Sequence, residues 1–100
     1  MATSRKFFLL RLERKLQKEF LHKSYTLTKF VKECKKFLKP FGDVHKFPDS
    51  EVPQVAVDFE IQFAVGNRPT DEYYTLVQVY YAKGRKRGCI HITEIGVSDL

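Results

Sequence analysis

The sequence predicts a single α+β domain over residues 1–100, in which two N-terminal helices pack on one face of a three-stranded antiparallel β-meander. This is an ααβββ order in two layers, and three observations predict it. Apolar residues recur at helical spacing through the first 40 residues. They alternate with polar residues over 55–65, and β-branched and aromatic residues dominate 73–82 and 89–95. A chain of 100 residues also suffices for one two-layer core.

The first predicted helix covers residues 5–21, with Ser4 as its N-cap. Its apolar stripe repeats every four residues, with one extra neighbour, and consists of Phe8, Leu9, Leu12, Leu16 and Phe20. Four cations fall on the opposite face at i, i+3, i+4 and i+7, namely Arg11, Arg14, Lys15 and Lys18. We therefore expect the stripe to face the core and the cations to face solvent.

The second predicted helix begins between Ser24 and Thr28, which are both suitable caps. Its core-facing stripe consists of Leu27, Phe30, Val31, Cys34, Phe37 and Leu38. Pro40 cannot continue a helix without losing a hydrogen bond, and Gly42 suits the positive φ that often follows a helix end. Residues 43–54, which contain two prolines, are predicted to be a loop.

Three strands are predicted to follow, over 55–65, 73–82 and 89–95. The first places Val55, Val57, Phe59, Ile61, Phe63 and Val65 on the buried face. The other two form a hairpin whose tip, residues 83–88, begins and ends near a glycine. Short connections favour a meander. Its core side is assigned to Val77, Val79, Tyr81, Ile90 and Ile92, although the central strand is apolar enough on both faces to leave the reverse orientation open.

The charge favours a polyanionic partner, such as nucleic acid, an anionic membrane surface or an acidic protein. The formal net charge is +6 and the pI is about 9.4. Residues 1–50 hold 13 Lys and Arg against 5 Asp and Glu, a balance of +8, whereas residues 51–100 hold 5 against 7, a balance of −2. Four of those last five cations lie at the hairpin tip: Lys83, Arg85, Lys86 and Arg87.

The sequence therefore predicts a small non-enzymatic protein that binds RNA or DNA, mainly through phosphates. The four tip cations are the predicted contacts, assisted by the four cations of the first helix. A two-stranded ribbon also fits the major groove of duplex DNA. The same basic run has a second interpretation as a nuclear-import signal.

The alternative is a protein–protein interaction module. A small inhibitor or an assembly subunit could dock on an acidic partner or dimerise through its sheet. The face of the sheet away from the helices carries more apolar and aromatic surface than a solvated face requires. The candidate partner-binding residues there are Tyr74, Leu76 and Tyr80.

No catalytic, metal or cofactor site is predicted. The His and Cys residues lack the paired spacing of zinc sites, so Cys34 and Cys89 are interpreted as a pair of buried, reduced thiols. Asp58 and Glu60 share a strand face, but Gln62 occupies the position where a nuclease of this pattern would need lysine. No apolar run approaches the roughly 20 residues of a bilayer span, and no signal-peptide pattern is seen. We expect no membrane partner and an intracellular location, in cytoplasm or nucleus.

Overall fold

The computed structural model describes residues 2–47, 59–66 and 75–99, with side chains described from Lys6 onward. Within these residues the elements follow one another along the chain as α1 (Ala2–Phe20), β1 (Ser24–Thr26), α2 (Leu27–Leu38), β2 (Asp43–Lys46), β3 (Glu60–Gly66), β4 (Thr75–Lys83) and β5 (Cys89–Asp99). A 3₁₀ turn, Lys39–Phe41, follows α2. The strands form one antiparallel sheet in the order β1-β5-β4-β3-β2, curved into a half-barrel. The class is therefore α+β.

The predicted three-stranded meander is wrong, because a short strand extends the sheet on each side. β1 lies between the two helices, where the sequence predicted only a helix start, and pairs with Cys89–His91 of β5. β2 lies in the predicted loop and pairs with β3 from Phe63 to Gly66. Strands of three or four residues are too short to show alternation, so their hydrogen bonds to a neighbouring strand define them.

The two helices contribute most of their apolar stripes to one core, but Leu27, predicted to face the core, is 42% exposed. From α1 the buried side chains are Leu12, Leu16 and Phe20, and from α2 they are Phe30, Cys34 and Leu38. Thr26 caps α2, because its Oγ1 accepts a hydrogen bond from the Lys29 N–H at 3.2 Å. Gly42, at φ 148°, follows the 3₁₀ turn and leads into β2.

A β-bulge sets the inward face of β5. Tyr80 pairs with Glu94 but the next residue, Tyr81, pairs with Ile92, so Thr93 has no partner in the register. The inward positions before the bulge are Ile90 and Ile92, and those after it are Ile95 and Val97. The extra residue explains this change of phase, and a bulge also increases the local twist of the strands. The strand was predicted to cover residues 89–95, whereas β5 continues beyond the bulge and pairs with β4 as far as Asp99.

The chain turns between α1 and β1 at His22, which has φ 63°. The His22 N–H donates to the Ile92 carbonyl at 2.9 Å, and the Ile92 N–H donates to the Lys23 carbonyl at 3.0 Å. Farther along the same edge of β5, two side chains of α1 bond to the strand. Glu13 Oε1 accepts from the Val97 N–H at 2.9 Å, and Gln17 Nε2 donates to the Ile95 carbonyl at 3.1 Å. These bonds satisfy backbone groups that an open strand edge would leave unpaired.

On the core side of the sheet, the buried residues are those that the sequence predicted. On the opposite side, some residues are more buried than predicted. Ile61, Phe63 and Val65 are buried, and so are Val77 and Val79, which settles the orientation of the central strand. Gln62 and Ala64 alternate with these core residues and point to the opposite face, where alternation predicts exposure to solvent, yet only 7% and 4% of their surfaces are exposed. Phe59, predicted to be buried, is 37% exposed and lies just outside β3. Val55 and Val57 lie outside the described residues.

Neither helix among the described residues has the length and apolarity needed to cross a bilayer.

Candidate polyanion-binding cleft

The basic hairpin predicted from the sequence is formed by β4 and β5. The Gly84 N–H donates to the Cys89 carbonyl at 2.8 Å, and the Cys89 N–H donates to the Lys86 carbonyl at 3.1 Å. Gly88 has φ 81°, a conformation that glycine adopts without strain. These features close a tight turn from which the cationic side chains project into solvent: Lys83, Arg85, Lys86 and Arg87.

A cleft of about 810 Å³ lies beside this turn, bordered by β1 and the first turn of α2. We call it the tip cleft. Its cations are Lys29, Lys83, Arg85 and Lys86, and its other polar side chains include Ser24, Thr26 and His91. No carboxylate is found among the described residues that line it. The tip cleft thus holds four positive charges from two distant parts of the chain.

Lys29 reaches the tip cleft because β1 joins the hairpin to α2. Thr26 pairs in register with Cys89 and also caps α2, so the first turn of the helix is held beside the hairpin. The N-terminal end of a helix carries a partial positive charge, and no acidic residue occupies this first turn. Lys29 was not among the cations predicted to bind, because no local signal distinguishes it from the other lysines of α2.

Other polar side chains complete the cleft wall. Ser24 Oγ and His91 Nδ1 are hydrogen-bonded at 3.1 Å, and both side chains line the tip cleft. The His22 ring lies 6.3 Å from that of His91, measured between centroids. A hydroxyl and a ring N–H can donate to phosphate oxygens beside the cations.

The four helix cations lie elsewhere. Arg11, Arg14, Lys15 and Lys18 surround a shallow depression of about 350 Å³ on α1, together with Phe7 and Leu10. We call these six residues the α1 ridge. It shares no lining residue with the tip cleft, so the structure does not bring the two predicted sets of cations together. Lys15 Nζ also lies 5.8 Å from the centre of the Phe41 ring, within the range of a cation–π contact.

The hairpin is not a free two-stranded ribbon. β1 covers the β5 edge from Cys89 to His91, immediately beside the turn. Only the turn itself, residues 84–88, extends beyond that pairing. The exposed part of the hairpin is therefore shorter than a full two-stranded ribbon, and its insertion into the major groove stays a prediction.

The predicted partner-binding residues belong to a different face. Leu76 and Tyr80 are half-buried on β4, and Tyr74 lies outside the described residues. Beside them, Glu60 Oε1 accepts hydrogen bonds from Gln62 Nε2 at 3.1 Å and Gln78 Nε2 at 3.0 Å. Burial raises the pKa of Tyr80, and the negative charge and hydrogen bond of Glu60 raise it further, with a contribution from Glu94. Glu60 and Glu94 thus place two carboxylates on this face, whereas the described lining of the tip cleft has none. We call it the electronegative sheet face.

The two thiols differ in environment. Cys34 is buried in the core, and its burial raises the pKa of the thiol to about 12. Cys89 is half-buried in the wall of the tip cleft. Among the described residues, no three His, Cys, Asp or Glu side chains lie close enough together to hold a metal ion.

The tip cleft, the α1 ridge and the electronegative sheet face are thus three chemically distinct surfaces on which a function can rest. No protein-family model, no curated protein and no solved structure matches this chain.

Proposed function

We propose that this protein is a small non-enzymatic nucleic-acid-binding protein that holds phosphates of RNA or DNA in the tip cleft. The observation that carries the proposal is the convergence of Lys29 with Lys83, Arg85 and Lys86 on one cleft. Like charges held close together repel one another, and phosphates that replace small counterions offset that repulsion. The absence of a carboxylate from the described lining leaves these cations available to a polyanion.

Each part of the cleft has a role in this proposal. Arg85 offers a planar fork of N–H donors that matches phosphate oxygens, while Lys29, Lys83 and Lys86 act as point charges. Arg87 is exposed on the same turn but does not line the cleft, and it extends the contact along the nucleic-acid strand. These contacts position a phosphate backbone and do not read bases, so we expect little sequence specificity.

The charge distribution also orients the ligand. The electronegative sheet face around Glu60 and Glu94 repels a phosphate backbone, so the nucleic acid approaches from the hairpin end. The cations of the α1 ridge were predicted to assist, and that contribution stays a prediction. A nucleic-acid ligand would place the protein in the cytoplasm or nucleus.

The second candidate is a protein interaction module that docks on an acidic partner or dimerises through its sheet. The exposure of Phe7 and Leu10 beside the cations of the α1 ridge favours the acidic partner. Dimerisation through the sheet has less support, because Gln62 and Ala64 are already buried on that face.

Binding to fluorescent single-stranded RNA, single-stranded DNA and duplex DNA tests the first candidate. The dissociation constant is measured by anisotropy over a range of salt concentrations. Wild-type protein is expected to bind all three at low salt and to weaken steeply as salt rises. Arg85→Glu/Lys86→Glu is expected to weaken binding and to flatten the salt dependence. Lys35→Glu/Lys36→Glu is the matched control, because it reverses two exposed charges of α2 that line neither cavity.

The first candidate fails if wild-type protein binds none of the three polymers at low salt. It also fails if the tip variant and the control variant weaken binding equally, since net charge alone would then explain it. In either case, a pull-down from nuclease-treated lysate distinguishes the second candidate, because a retained protein does not depend on nucleic acid.

A further inference from the structure

The outward side of α1 carries apolar side chains that the core does not use. Phe7 is 62% exposed and Leu10 is 41% exposed. Phe7 and the buried Leu16 are nine residues apart, which places them about 180° apart around the helix. Phe7 therefore projects away from the core, and it is not a partly exposed residue at the edge of the buried stripe.

Cations continue the same row along the helix. Arg11, Arg14 and Lys18 follow Phe7 at i+4, i+7 and i+11, which keeps them on one side of α1. All three are exposed and line the same depression as Phe7 and Leu10. No acidic side chain is present among the described residues of that lining. The α1 ridge thus has an apolar N-terminal end and a cationic C-terminal end.

We propose that the α1 ridge is a docking surface for an acidic segment of another protein that carries an apolar anchor. The anchor packs on Phe7 and Leu10, and carboxylates beside it face Arg11, Arg14, Lys15 and Lys18. Apolar contact at one end supplies affinity, whereas complementary charge along the rest fixes orientation and accelerates association. This inference names the surface used by the second candidate function and does not depend on nucleic-acid binding at the tip cleft.

Two features favour a protein over other anionic partners. A helix that lies in a membrane interface repeats its apolar residues along its length, whereas here they are confined to one turn. A phosphate backbone would contact only the cations and would leave the side chain of Leu10 without an apolar partner. A symmetric contact between the ridges of two copies of this chain is disfavoured because each ridge would meet the positive charges of the other.

A synthetic acidic amphipathic peptide of about 20 residues tests the proposal, since much shorter helices are marginal in water. It carries Leu and Phe on one face near one end and Glu along the rest of that face. The control peptide has the same composition in scrambled order. Binding is measured by anisotropy for wild-type protein, Phe7→Ala/Leu10→Ala and Arg14→Glu/Lys18→Glu. Circular dichroism verifies that each variant is folded, which we expect because all four positions are exposed.

We expect wild-type protein to bind the patterned peptide at least about tenfold more tightly than the scrambled peptide, and each ridge variant to lose at least about tenfold in affinity. Lys35→Glu/Lys36→Glu and the tip variant Arg85→Glu/Lys86→Glu should retain most of the binding. Tip-cleft binding of RNA should in turn survive the loss of the two apolar side chains, so the two proposals fail separately.

Three results would overturn the inference. The first is no preference for the patterned peptide, and the second is unchanged affinity in Phe7→Ala/Leu10→Ala. The third is that this variant impairs binding to single-stranded RNA, or to vesicles of phosphatidylcholine and phosphatidylserine, more than binding to the peptide. That result would assign the ridge to nucleic acid or to a lipid surface.

Discussion

Replacing Lys29 with alanine tests whether the cleft, and not only the hairpin tip, binds nucleic acid. Four cations line the tip cleft. If they neutralise about four phosphates of a single strand, the logarithm of the binding constant falls with the logarithm of salt with a slope of about −2.8. Lys29→Ala leaves about three contacts and a slope of about −2.1. Between about 50 and 200 mM salt, wild-type protein should lose about 50-fold in affinity and the variant about 20-fold.

Anisotropy titrations with a labelled single-stranded oligonucleotide at several salt concentrations measure both slopes. Lys36→Ala is the matched control, because Lys36 is an exposed lysine of the same helix that lines neither cavity. Its slope should equal that of the wild type. Equal effects of the two substitutions, or a slope unaffected by Lys29→Ala, would refute the assignment of Lys29 to the binding surface.

Further predictions concern stability and reactivity. Phe30→Ala should lower the free energy of unfolding by about 3–5 kcal/mol in urea titrations, because Phe30 is fully buried. Phe7→Ala should change it by no more than about 0.5 kcal/mol, and similar losses in the two variants would contradict the described core. Gly88→Ala should cost about 1–2 kcal/mol through its positive φ alone, since no atom lies within 4 Å of the added Cβ. At pH 8 a thiol reagent should label Cys89 and not Cys34 in the folded protein. Because folding raises the pKa of Cys34 from 9.0 to about 12, its contribution to stability is full below pH 9 and falls as the pH rises toward 12. Joint labelling of both thiols without unfolding would contradict this environment.

The long elements could be predicted because their patterns repeat within one segment. The stripe of α1 runs from Phe8 to Phe20, which is more than three helical turns, and its buried members Leu12, Leu16 and Phe20 were all expected. The buried side of β4 was assigned from β-branched residues at alternate positions, and the burial of Val77 and Val79 decided between that orientation and the reverse one, which the sequence left open. The basic turn was visible as three cations between two glycines, with a fourth, Lys83, directly before the first glycine. In each case residues close in sequence decide the outcome.

The short strands and the phase of β5 could not be predicted in the same way. β1 has three residues, and its strand conformation depends on partners 63 to 67 positions away, from Thr26 with Cys89 to Ser24 with His91. The bulge at Thr93 is defined by how β5 pairs with β4, and no glycine or proline at this position indicates it in the sequence. Such features depend on hydrogen bonds between residues far apart in the chain, and the periodicity of a single segment does not predict those bonds.

By itself, the sequence determined an α+β class, two amphipathic helices, a hairpin with a cationic tip, and a strong positive charge in the first half of the chain. Local periodicity, turn residues and composition are sufficient for these properties. Only the tertiary structure decided that the sheet has five strands among the described residues, that Lys29 joins the tip cations, and that the α1 ridge lies apart from them. The pairing of β1 with β5 fixes the position of α2 beside the hairpin, and that pairing links residues far apart in the chain.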